Sequence, residues 1–174
     1  VGGLAQAPAP YPTKPVTVIV PFPPGGSTDL STRVVADRLS QMLGQPFVVH
    51  NRPGAAGNIG MAQLAKADPD GYTLGHGYLG TVSIQPVLEG GKLPFHPDKD
   101  FTPVAPMASV PLFLVVPPSL GVRSVAELVA LAKRRPGQLT YGTAGNGSAQ
   151  HMFAEAFRRA AGIDIRPIPF AGSG

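Results

Sequence analysis

Short apolar runs alternate along the chain with stretches of helical period, each closed by Gly or Pro. The run VTVIV at residues 16–20 has the apolar density of a parallel strand covered on both faces. Pro21 to Gly26 break it, and Ser27 is placed to cap a helix whose apolar face is Leu30, Val34, Val35, Leu39, Met42 and Leu43, with Gly44 as its stop. A second strand at 47–50 leads through NRPGAAG into a helix at about 58–67 carrying Ile59, Ala62, Leu64 and Ala65. Asp68-Pro69-Asp70-Gly71 turns the chain into a third strand at 72–75. This βαβαβ order, with right-handed crossovers, predicts three parallel strands in one sheet.

Between residues 90 and 118, seven prolines interrupt the apolar runs 104–110 and 112–116, which suits edge or crossover strands. A new unit then begins. Ser124 and Glu127 form a capping box, Leu128, Leu131 and Ala132 point inward, and Arg135-Pro136-Gly137 ends the helix. A strand at 139–141, the loop GTAGNG, a helix at about 148–161 stopped by Gly162, and a strand at 165–168 complete the pattern. The expected architecture is α/β in two lobes: a first at 11–103, hinge or crossover strands at 104–117, and a second at 118–174.

Composition excludes several classes. The 174 residues include 22 Gly and 21 Pro, about twice average usage. Disorder is not the reason, because 43% of residues are hydrophobic and the net charge is only +4. The absence of Cys removes disulfides, zinc–thiolate sites and thiol nucleophiles. Basic residues occur singly or in pairs such as Arg134-Arg135, so no nucleic-acid stripe is expected. No run approaches the 18 or so apolar residues of a membrane-spanning helix, so the chain is not expected to be membrane-embedded. Ala5-Gln6-Ala7 has the small-x-small pattern of a signal-peptidase site, which makes residues 1–10 a candidate signal-peptide remnant or a loose N-terminal stretch.

Two loops share one design, PFPPGGSTD at 21–29 and YGTAGNGSA at 141–149: a strand ends, a Gly-rich turn follows, and a helix begins near a Ser. Ligands of open α/β sheets bind outside the carboxyl ends of strands, where helix N-termini present unpaired N–H groups and a positive dipole end. Neither loop holds the Lys of a P-loop, and the second supplies only two of the three glycines of a dinucleotide fingerprint, with Gln150 at the third position. A small carboxylate needs only the N–H and hydroxyl donors of Gly26, Ser27, Thr28, Thr143, Gly147 and Ser148. Each loop taken alone is equally an ordinary βα connection. No G-x-S-x-G elbow occurs, and His50, His76, His96 and His151 have no metal-binding spacing, so neither a hydrolase nucleophile nor a metal site is expected. His151 is either a neutral donor at the cleft or an ordinary surface residue. Asp29, near a helix N-terminus, either stabilises the helix, holds the loop, or receives a ligand's positive group.

The segments YPTKPVTVIVPFPPGGSTDLSTRVVADRL, VVHNRPGAAGNIGMAQLAKADPDGYTL, DKDFTPVAPMASVPLFLVVPP, QLTYGTAGNGSAQHMFAE and IPFAGSG together resemble the tripartite tricarboxylate transporter receptor family, the Bug-type periplasmic solute-binding proteins. The resemblance implies a type II periplasmic-binding-protein fold, two α/β lobes closing on an organic acid or acidic amino acid. It implies delivery of that acid to membrane permease subunits, no reaction, no cofactor, a periplasmic location in a Gram-negative bacterium, and a monomer at full length. Carried onto this chain, the family's ligand loops fall on Phe22, Pro23, Gly25, Gly26, Ser27 and Asp29, on Gly57 and Asn58, on Leu79, Gly80 and Thr81, and on Thr143, Gly145, Asn146, Gly147 and Ser148. In IPFAGSG, Phe170 and Ala171 replace the family's Tyr and Lys, which puts any contact of those two side chains in doubt. Family members continue beyond this point, so the chain is expected to be truncated with both lobes incomplete. Two further readings stay open: an α/β enzyme acting on a small anion, and a structural module with no small ligand.

Overall fold

The apolar run after Pro15 forms β1 (Val16–Val20), the centre of a three-stranded parallel sheet of order β2-β1-β3, with β2 at Phe47–Asn51 and β3 at Thr73–Gly75. The structure is a computed structural model that describes residues 10–172. The candidate signal remnant Ala5-Gln6-Ala7 lies outside them. Val18 sits opposite Val49 on one side and Leu74 on the other. Val16, Val18, Ile19 and Val20 are buried, each contributing about 1.5–3 kcal/mol of apolar burial.

Helix α1 (Ser27–Leu43) and helix α2 (Asn58–Ala65) follow β1 and β2, as the βαβαβ order predicts. One core gathers Val16, Val18, Ala36 and Phe47, with Leu39, Val49, Tyr72 and Leu74 packed at its edge. The face that α1 buries differs from the expected one. Leu30, Val34, Met42 and Leu43 are exposed, Val35 and Leu39 half-buried, and the covered positions are Thr28, Asp29, Thr32 and Ala36. Two of the covered polar side chains have partners on other elements, Asp29 on Asn51 and Thr32 on His76, so hydrogen bonding rather than hydrophobicity orients this turn. Ser27 is likewise not the cap. Gly26 holds that position in extended conformation with no side-chain cap, and Gly44 ends the helix left-handed as predicted.

After β3 the chain enters a widened helical turn at Gly80–Ile84 that continues as α3 (Gln85–Glu89), so Gly80 and Thr81, which the resemblance places in a ligand loop at Leu79–Thr81, open a helical segment. Helix α4 (Pro97–Asp100) follows. The expected strands at 104–110 and 112–116 do not form. Residues 102–119 are exposed, with Val104, Phe113 and Val115 about four-fifths accessible. Pro103, Pro106, Pro111 and Pro117 each lack a ladder donor, and no described strand lies alongside.

The second unit matches its sequence closely. Helix α5 (Val125–Arg134) starts at Ser124, whose hydroxyl accepts the Glu127 N–H, while Glu127 accepts the Arg123 N–H. Strands β4 (Leu139–Thr143) and β5 (Ile165–Pro169) pair in parallel around α6 (Ala149–Ala161), which Gly162 ends left-handed. Leu131, Ala132, Ala144, Ala149 and Ile163 are its buried apolar residues among those described. At the other end of the first sheet, Tyr11 donates its hydroxyl to the Gly71 carbonyl, the Thr13 N–H donates to the Tyr72 hydroxyl, and Lys14 lies over the Tyr72 ring near Asp70.

Candidate functional site

Both Gly-rich loops stand at the carboxyl ends of strands. The first is held from beneath by Asp29, a buried side chain in the first turn of α1. Its carboxylate accepts the Gly25 N–H at 3.0 Å, the Arg33 Nε–H at 3.0 Å and the Asn51 Nδ2–H at 2.9 Å. Asn51 Nδ2 also reaches the Phe22 carbonyl, and Arg33 returns to Asn51 Oδ1, closing the network. These donors engage both oxygens of the carboxylate, so Asp29 holds the loop. The Arg33 guanidinium, foremost, with the Gly25 and Asn51 donors, brings its pKa down to about 2 against the opposing effect of burial.

Above this anchor, the Leu30 N–H is the first in α1 to find a carbonyl, that of Gly26. Among the described residues the N–H groups of Ser27, Thr28 and Asp29 have no backbone partner, and Ser27 is exposed. Phe22 is buried with its ring edge-on to Tyr78 at 5.3 Å, and Pro23 is half-buried.

The second loop has already used part of its donor set. Thr143 and Ser148 are buried; Thr143 Oγ1 accepts the Gly145 N–H, and Ser148 Oγ accepts the His151 N–H while keeping its own proton to give. The Gly147 N–H goes to His151 Nδ1 at 3.1 Å, so that nitrogen is an acceptor and Gly147 has no N–H to spare. His151 is thus not a donor at that nitrogen.

The segments 54–58 and 78–81 join the loops. Gly57 is packed so tightly that a Cβ there would meet Thr81, Pro21 and Phe22. Gly80 lies over the Gly147 carbonyl, and Gly145 approaches Ala56. Tyr78 donates its hydroxyl to Gln150 Oε1 at 2.9 Å, and Gln85 donates Nε2–H to the Asn146 carbonyl at 2.7 Å. Thr81 is fully buried and donates to the Tyr78 carbonyl, while Leu79 is exposed. Asn58 opens α2, and its Oδ1 is buried without a partner among the described residues. The structure therefore gathers the predicted residues around one meeting of the two units, with exposed Leu79 at its margin. Arg33, Asn51, Tyr78, Gln85 and Gln150 escaped the sequence reading; only Arg33, four residues after Asp29, had a local signal.

Residues 54–57 all have positive φ, including Ala55 at 47° and Ala56 at 53°. Left-handed backbone costs a residue with a Cβ about 1–2 kcal/mol. Ala55→Gly is therefore expected to raise stability by about 0.5–1 kcal/mol in urea denaturation, net of the greater freedom of unfolded Gly. An unchanged or lower midpoint would contradict a strained turn.

Residues 31–174 match the model of the tripartite tricarboxylate transporter family receptor. The chain is 44% identical over 168 residues to protein BugT of Bordetella pertussis (strain Tohama I), covering 94% of this chain and 50% of that protein. Among solved structures, Rpa4515 of R. palustris with adipate is 40% identical with a TM-score of 0.87, covering 93% of this chain and 54% of the other. MatC (Rpa3494) from Rhodopseudomonas palustris with bound malate is 34% identical with a TM-score of 0.85, covering 93% and 55%. The chain thus spans about half the length of the relatives it matches.

Proposed function

The chain belongs to the tripartite tricarboxylate transporter receptor family, and on that premise we propose that the protein is a periplasmic receptor that captures a small carboxylate between two α/β lobes and passes it to membrane permease subunits. The observation that carries this reading is the meeting of two strand-to-helix loops, one from each sheet, through residues 56–57 and 80–81. Ser27 and the free first-turn N–H groups of α1 supply one side, and the hydroxyl proton of Ser148 supplies the other. Phe22, Pro23, Gly57, Gly80 and Gly145 form the walls, and residues 104–117 serve as the hinge. Neutral dipoles suffice for such a ligand, since a hydrogen bond to a charged group contributes about 1.5–3 kcal/mol.

Adipate and malate, the acids bound by the two structural relatives above, are the first probes. Calorimetry is expected to give a binding heat with at least one dicarboxylate, and Ser27→Ala with Ser148→Ala is expected to weaken it about 10- to 100-fold. Unchanged affinity in the double variant would refute the clamp. The enzyme alternative does not stand, because the family is one of receptors.

A further inference from the structure

His76 follows β3 directly, and its backbone N–H donates to the Ile19 carbonyl, which fixes it at the carboxyl end of the sheet. Its ring Nδ1 lies 2.7 Å from Thr32 Oγ1, and Thr32 Oγ1 lies 2.7 Å from the Thr28 carbonyl. Thr32 is buried, one hydroxyl has one proton, and the carbonyl can only accept. Thr32 therefore donates to Thr28, and His76 must donate from Nδ1. The result is a one-way chain, His76 Nδ1–H to Thr32 Oγ1–H to the Thr28 carbonyl.

That carbonyl belongs to the same peptide unit as the Asp29 N–H, one of the three first-turn donors that have no backbone partner among the described residues. Hydrogen bonds in series polarise one another, and donation to a peptide oxygen strengthens the N–H at the other end of the unit. We infer that His76 is a positioning residue for the carboxylate site: acting through Thr32, it sets the orientation and donor strength of the first peptide units of α1. The inference rests on the carboxylate reading above, but its geometry does not depend on which acid is bound. It also gives His76 a place that its isolated position in the sequence did not suggest.

The test compares apolar and conservative replacements at both links. His76→Leu and Thr32→Val remove the donors; His76→Asn puts an amide N–H near the Nδ1 position, and Thr32→Ser keeps the hydroxyl. Titrated with adipate and malate, the first pair is expected to bind about five- to twenty-fold more weakly, with the double variant no worse than either single one, and the second pair within about two-fold of the parent. In amide NMR, the Asp29 N–H resonance is expected to move in His76→Leu and Thr32→Val and to return toward its parent position in His76→Asn and Thr32→Ser. An Asp29 resonance that stays in place in His76→Leu, or a His76→Asn variant as impaired as His76→Leu, overturns the proposal. If the parent chain binds neither acid, the carboxylate reading falls, and the Asp29 resonance alone decides the role of His76.

Discussion

Asp29→Ala is expected to destabilise the protein by about 2–4 kcal/mol in equilibrium denaturation and to cost at least tenfold in carboxylate affinity. The change strips the acceptor from the Gly25 N–H and from one of the two Asn51 Nδ2 protons, the other staying on the Phe22 carbonyl, and removes the anion beside Arg33 at once. Arg33 is half-exposed and turns to water at small cost, so the loss comes mostly from the two groups left unpaired and from the released loop. Acid should reproduce the effect reversibly. Because the folded-state pKa is depressed from 3.8 to about 2, the carboxylate's contribution is complete above the unfolded value and is lost as pH falls from about 4 through 2. That difference corresponds to roughly 2 kcal/mol. Stability measured from pH 5 down to pH 2 should fall more steeply in the parent than in Asp29→Ala. Parallel curves would mean that the network contributes nothing.

The second large effect is expected at Gly60. A Cβ there would stand 2.9 Å from the Arg52 carbonyl oxygen and 2.9 Å from Pro21 Cα, both backbone atoms at the ends of strands, which cannot yield as a side-chain tip would. Gly60 has ordinary helical backbone, so the demand is one of space alone. Gly60→Ala must lift α2 off the end of β1, at a cost of about 2–3 kcal/mol. Since α2 starts directly after the turn that brings Ala56 to Gly145, the displacement should also reduce ligand binding. Ala in place of Gly normally stabilises a helix by roughly 1 kcal/mol, so the sign of the change is itself the test. A variant as stable as the parent would show that the two backbones do not approach this closely.

How much of this was legible in the sequence depends on the range of the interactions involved. The five strands, the cap at Ser124, and the stops at Gly44 and Gly162 are written in neighbouring residues, and all appear where the pattern puts them. The buried face of α1 is different. Its apolar stripe points to Leu30 and Val34, while the helix is oriented by Asn51 and His76, which lie 22 and 44 residues from their partners Asp29 and Thr32. No local period encodes such pairings. The runs at 104–116 failed for a related reason: an apolar pattern favours a strand only when another strand accepts its ladder, and prolines remove several of the donors required. At the site, the loops were readable as loops, but the bridges from Tyr78 to Gln150 and from Gln85 to Asn146 depend on two units meeting in space.

The pinning of Tyr11, Thr13 and Lys14 to the turn before β3 decides where anything joined ahead of them emerges. It leaves from the amino ends of the strands, whereas the two Gly-rich loops proposed to hold the ligand lie at the carboxyl ends, a full strand length away, or roughly 16 Å for five residues. A fluorophore or a sensor-chip linkage placed on that side would therefore leave the two Gly-rich loops facing the solution.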